Sequence, residues 1–138
     1  MDQKDKYHIK AEVDGRITDA TLVIEDIFED NIDYIMLELS IGNHKWYAKS
    51  DESAFRALIE IRKKIIPIKL YCYGASRNVY PSPMMESMGG GFKAYKLLPG
   101  RRARTEDIVN IFDYEDGLDI VDTDEQEEYY NQWLSSLA

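Results

Sequence analysis

The sequence predicts an α+β fold in one domain, residues 1–138: a mostly antiparallel sheet with two helices, at about 51–65 and 123–137. Three observations predict it. Tyr7 to Val13 alternates apolar and polar side chains with a period of two, and further runs of strand formers up to Ala48 are set off by turn dipeptides. Two later stretches repeat apolar residues at helical spacing behind capping residues. Strands cluster ahead of the first helix, an order that suits an antiparallel sheet with helices packed on one face.

Tyr7, Ile9, Ala11 and Val13 alternate against His8, Lys10 and Glu12, which is the pattern of a half-buried strand. Asp14-Gly15 supplies a hairpin turn, and Ile17 to Ile24 the returning strand. Glu25 to Asp33 reads as an acidic loop broken by Ile27 and Phe28. Tyr34 to Ile41 is rich in strand formers, and Gly42-Asn43 turns it into a partner strand, His44 to Ala48.

Ser50 or Asp51 then caps a helix whose apolar stripe is Ala54, Phe55, Leu58, Ile61 and Ile65. Asp51 and Glu52 before it, with Arg62, Lys63 and Lys64 late in it, match the helix dipole. Pro67 ends it, and Ile68 to Tyr73 is a short internal strand.

Gly74 to Gly100 is irregular, with three prolines and five of the eight glycines; Phe92 to Leu98 is a strand within it. Asp107 to Phe112 fits a short strand and also a helix. Asp113 to Asp122 reads as an acidic loop. Thr123, with Gln126 three residues on, makes a capping box for the last helix. Tyr129, Tyr130, Trp133, Leu134 and Leu137 form its inward stripe.

A chain of 138 residues buries roughly two thirds of its extended surface, enough for one core without staples. A hydrophobic fraction of 44% excludes wholesale disorder. The one cysteine, Cys72, sits in an apolar run and has no internal disulfide partner, so it reads as a core thiol in a reducing compartment. No apolar run has signal-peptide or membrane-spanning length, which gives the expectation of a cytoplasmic, membrane-free protein.

Charge is sharply segregated. Residues 1–61 carry −7, residues 62–104 carry +9, and residues 105–138 carry −11 with no Lys or Arg at all. Such asymmetry steers a charged partner, or pairs the basic middle with the acidic tail inside one molecule. An overall charge of −9 disfavours nucleic acid and anionic membranes as primary partners.

Catalytic and cofactor motifs are not evident, and the chain reads as a non-enzyme without cofactor. Gly89-Gly90-Gly91 is followed by Phe92 rather than the Lys-Ser/Thr of a phosphate loop, and no dinucleotide fingerprint occurs. His8 and His44 are the only histidines, and neither has a metal-ligand spacing, so no metal site is expected. Cys72 with His8 or His44 is formally a nucleophile and base, but an apolar strand suits a core thiol better.

Three binding surfaces follow. Asp113, Tyr114, Glu115, Asp116, Asp119, Asp122 and Asp124 alternate acids with apolar and aromatic residues ahead of a capped helix, so they form an ordered surface for a basic protein. Arg77, Tyr80 and the backbone amides of Gly89, Gly90 and Gly91 form an alternative small-anion site. Arg77, Lys93, Lys96, Arg101, Arg102 and Arg104, beside Tyr80, Phe92 and Tyr95, form an alternative nucleic-acid stripe. A sheet of this size also leaves two edges that a second copy of the chain can pair.

The segment Tyr73 to Tyr95 (YGASRNVYPSPMMESMGGGFKAY), with Asp107 to Asp113 (DIVNIFD), resembles in character small bacterial immunity proteins. These are the cytoplasmic partners of contact-dependent or polymorphic toxins. The class contains many unrelated folds, so the resemblance implies none in particular. It implies a mode of action: tight binding of a cognate toxin domain, often a basic nuclease, blocking its active site or its substrate surface. The class shares no common binding motif, so the resemblance assigns no site residues.

Overall fold

A computed structural model describes residues 4–138. The chain starts as a meander of β1 (Lys4–Val13), β2 (Arg16–Glu29), β3 (Ile32–Ile41) and β4 (His44–Ser50), each antiparallel to the last. The expected turns stand at Asp14-Gly15 and Gly42-Asn43. A third, unanticipated, is Asp30-Asn31, with φ of 50° and 63°. Asp and Asn tolerate this left-handed backbone better than other side chains do, and its twist matches the strands it joins.

That third turn corrects the reading of residues 25–33 as a loop. β2 continues through Glu29 and β3 begins at Ile32, with Phe28 opposite Asp33. Acidic composition misled here. Period-two alternation persists through the acids, which sit on the solvent-exposed end of a hairpin where charge is tolerated. The ribbon reaches past β4, whose last residue, Ser50, pairs with Ile35.

After β4 comes α1 (Ala54–Lys64), packed against one face of the sheet. Its cap is Ser53, whose hydroxyl accepts from the Arg56 amide at 3.1 Å, not Ser50 or Asp51. Ser50 instead accepts from the Glu52 amide, holding the approach to the helix. Phe55, Leu58 and Ile61 enter the core with Leu22, Leu37 and Leu39, all six fully buried. Each contributes roughly 1.5–3 kcal/mol from apolar burial. β5 (Lys69–Tyr71) then returns beside β1, giving the order β4-β3-β2-β1-β5. The face opposite α1 carries Lys–Glu and Lys–Asp pairs such as Lys45–Glu38 and Lys10–Asp19.

The second half builds a smaller sheet from β6 (Val79–Tyr80), β7 (Lys93–Lys96) and β8 (Ile108–Asn110). The ambiguous 107–112 stretch is thus a strand, preceded by a single 3₁₀ turn. Between β6 and β7 lies a helix the sequence reading missed, α2 (Pro83–Gly89). Its signals were local: Ser82 caps it, Pro83 opens it, and Gly90 closes it at φ 71°. At seven residues it is too short for apolar periodicity to register. The last helix, α3 (Thr123–Ser136), lies over the small sheet, where Tyr130 stacks on Tyr80 at 4.1 Å. One continuous core runs from Leu22 and Leu37 through Phe55 to Val79, Ala94 and Ile111. The fold is α+β in a single domain, with eight strands and three helices among the described residues.

Candidate functional site

The acidic loop is fastened at its two ends. The segment Tyr73–Arg77 holds both ends: the Tyr73 amide donates to the Asp113 carbonyl and the Arg77 amide to the Asp119 carbonyl, both at 2.8 Å, with an antiparallel bridge at Ser76 and Ile120. The Val121 amide closes the pairing on the Ala75 carbonyl. Ile111 and Phe112 are buried just before the loop, so Asp113–Asp119 emerges from the core and returns to it. Tyr114 stands half exposed, edge-on to Tyr71 at 6.1 Å. Burial, then Asp116, pushes its phenol pKa up; burial, then Glu115, does the same to Tyr73. Negative charge is concentrated here on ordered backbone.

The helix that follows is held from inside. Asp122, not Thr123, is the N-cap, accepting from the Glu125 amide at 2.8 Å. The capping-box role expected of Gln126 is therefore not filled. Gln126 is buried, and its Nε2 reaches the carbonyls of Gly74, Ser76 and Val79 at 2.9, 3.0 and 2.9 Å. Its Oε1 accepts from Arg62 Nη1 at 2.6 Å. Arg62 also donates to the Val121 carbonyl at 2.5 Å and, among the described residues, has no carboxylate in direct contact. Burial pulls its pKa down to about 10. Sequence reasoning placed both residues on helices but missed the pair, because 64 positions separate them.

With the helix so fixed, the tail carboxylates sort into two groups. Five are used internally. Asp107 takes both its oxygens to Arg101, at 2.7 and 2.9 Å, and accepts from the Arg104 amide. The Arg104 amide first, then Arg101, lowers the Asp107 pKa. Glu106 pairs with Arg104 at 3.6 Å, Asp119 and Glu125 both grip Arg77, and Asp122 is the cap. The other six, Asp113, Glu115, Asp116, Asp124, Glu127 and Glu128, have no Lys or Arg within 4.0 Å among the described residues. Asp124, Glu127 and Glu128 share the outer face of α3 with Asn131 and Gln132. Internal pairing of the basic middle with the acidic tail thus accounts for part of the tail only.

The alternative anion set is not gathered around one opening. Arg77 is committed to Asp119 and Glu125 at 2.7 and 3.2 Å. Tyr80 is buried between Phe55 and Tyr130. The Gly90 and Gly91 amides both donate to the Met85 carbonyl, so they are spent closing α2. Gly91 is needed for close approach: a Cβ there would lie 2.5 Å from that of Ser53. The basic stripe is similarly divided. Arg62 is buried, Arg77, Arg101 and Arg104 are paired, and Lys93, Lys96 and Arg102 have no salt bridge among the described residues.

Cys72 is fully buried, and its thiol pKa is pushed up to about 11 by that burial. Both histidines are exposed, His44 stacked on Trp46. Among the described residues no helix is long and apolar enough to cross a membrane. No family model matches the sequence, and no curated protein matches it either.

Proposed function

We propose that this chain is a non-enzymatic binding protein that recognises a basic protein partner through its C-terminal carboxylates. Its role is that of an immunity protein, neutralising a cognate toxin domain, with a nuclease-type toxin the best match in charge. One observation carries the reading: six tail carboxylates left without a cation, displayed on a loop and helix fastened into the core. Tyr114 adds an exposed aromatic among them, the residue type that anchors binding hot spots. Carboxylates arrayed this way accelerate encounter with a basic surface, to on-rates of about 10⁸–10⁹ M⁻¹s⁻¹ at low salt. The specifically toxin-directed role comes from the likeness of residues 73–113 to immunity proteins.

Stopped-flow association with a basic toxin domain, co-purified as the partner and measured across a salt series, tests it. Neutralising Asp113, Glu115, Asp116, Asp124, Glu127 and Glu128 together should slow association at low salt by about tenfold or more and flatten the salt dependence. An on-rate and salt slope equal to wild type would overturn the assignment.

A further inference from the structure

A cleft of about 420 Å³ opens where the end of α1 meets β5 and the start of α3. Its apolar walls are Ile66, Pro67, Ile68 and Leu70 from the α1–β5 side, and Ile120 and Val121 from the end of the acidic loop. Ile66 is 68% exposed, so part of this apolar lining is not used by the core.

Arg62 lines the same cleft, yet it is only 7% exposed. A guanidinium carries five N–H donors. Three are filled: Nη1 donates to Gln126 Oε1 at 2.6 Å and to the Gly74 carbonyl at 3.4 Å, and Nη2 to the Val121 carbonyl at 2.5 Å. Nε and the second N–H of Nη2 have no acceptor among the described residues. Nε is not sealed in either, because among the described residues no fully buried side-chain nitrogen lacks a partner. The accessible side of Arg62 is this cleft.

A buried charge ordinarily has an ion partner. The acceptors that Arg62 has are one neutral amide and two peptide carbonyls. The acids on the same walls are engaged elsewhere: Asp119 and Glu125 hold Arg77, and Asp122 caps α3. Asp122 acts on Arg62 through space, and burial outweighs it, leaving the guanidinium pKa at about 10. Lys69, exposed on the α1–β5 side, has no salt bridge among the described residues.

We infer that this cleft binds a small carboxylic acid, its carboxylate on Arg62 Nε and its apolar chain against Ile66, Ile68 and Ile120. A monoanion supplies the one charge that Arg62 lacks. A phosphate dianion would bring a second charge towards Asp119, Asp122 and Glu125. A neutral ligand would leave the buried cation uncompensated, and a cationic one would be repelled by it. The volume lies within the range of small-molecule sites, about 300–1,000 Å³. None of the six unpaired tail carboxylates takes part, so the inference is independent of the proposed protein-binding surface.

The test is a titration of the full ¹⁵N-labelled chain with 4-methylpentanoate at constant ionic strength. 4-Methylpentanamide and inorganic phosphate are the comparisons. The Arg62 Nε–H signal should shift saturably with the acid and stay in place with the amide, and the acid should raise the melting temperature. Ile66→Asp, at an exposed position that leaves the fold intact, should weaken the acid about tenfold or more. Glu127→Gln, outside the cleft, should bind it as wild type does. An unmoved Arg62 Nε–H, equal shifts with the amide, undiminished affinity in Ile66→Asp, or phosphate bound as tightly as the acid would overturn the site.

Discussion

The side-chain amide of Gln126 joins the guanidinium of Arg62 at 2.6 Å, and the same amide bonds three backbone carbonyls from Gly74 to Val79. A neutral amide is suited to this place, because it accepts from the cation on one side and donates to carbonyls on the other. A carboxylate would do the first and fail the second.

Gln126→Ala should therefore cost about 2–4 kcal/mol, since it strands a buried guanidinium and three carbonyls together. Gln126→Glu should not rescue it, despite adding a formal ion pair. Urea titration of both variants decides this; a Glu variant as stable as wild type would show that the Arg62 contact alone matters.

Cys72 should make stability fall in alkali. Its folded pKa of about 11 lies above the unfolded value of 9.0, so its contribution is whole below pH 9 and is lost as pH rises towards 11. The two-unit shift corresponds to about 3 kcal/mol. Cys72→Ala removes this dependence, so the stability gap between wild type and variant should narrow or reverse between pH 8 and 11. The buried tyrosines titrate in both proteins and cancel in the difference.

Gly91→Ala and Gly89→Ala should part company. A Cβ at Gly91 meets Ser53 at 2.5 Å on a backbone with φ of 73°, whereas one at Gly89 meets nothing within 4 Å. The first should destabilise by about 2 kcal/mol or more. The second, inside α2, should be neutral or stabilise by up to about 1 kcal/mol. Thermal melts of the two variants, side by side, provide the measurement.

Neutralising the six tail carboxylates should leave folding stability unchanged or slightly raised, because none has a Lys or Arg within 4.0 Å among the described residues. Arg77→Ala is the contrast: it leaves Asp119 and Glu125 without their shared cation, and the melting temperature should drop. If the sixfold variant melts well below wild type, those carboxylates have structural partners.

Much of this architecture is legible in the residues themselves. The alternation from Tyr7, the Asp14-Gly15 and Gly42-Asn43 turns and the Phe55–Leu58–Ile61 stripe are local patterns, and they place four strands and α1. Where local chemistry pointed two ways, the reading slipped. Acids from Glu25 to Asp33 suggested a loop although Phe28 and Ile27 still alternated across a strand. Pro83 and Gly90 suggested irregularity although they were the two ends of α2. The site was legible as charge but not as partition. Which carboxylates Arg77, Arg101 and Arg104 absorb depends on how distant segments meet, as Asp119 with Arg77 shows across 42 positions.

The buried amide of Gln126 has one more consequence. Asp124, Glu127 and Glu128 lie within a single turn of it, so a helix that cannot roll about its own axis cannot re-aim them. Three carbonyls and a guanidinium, each at a fixed bearing, prevent that roll. A molecule approaching this face meets a helix backbone whose bearing was settled during folding, so only the carboxylate side chains are left to order on contact. The core, through one glutamine, gives the surface a fixed bearing.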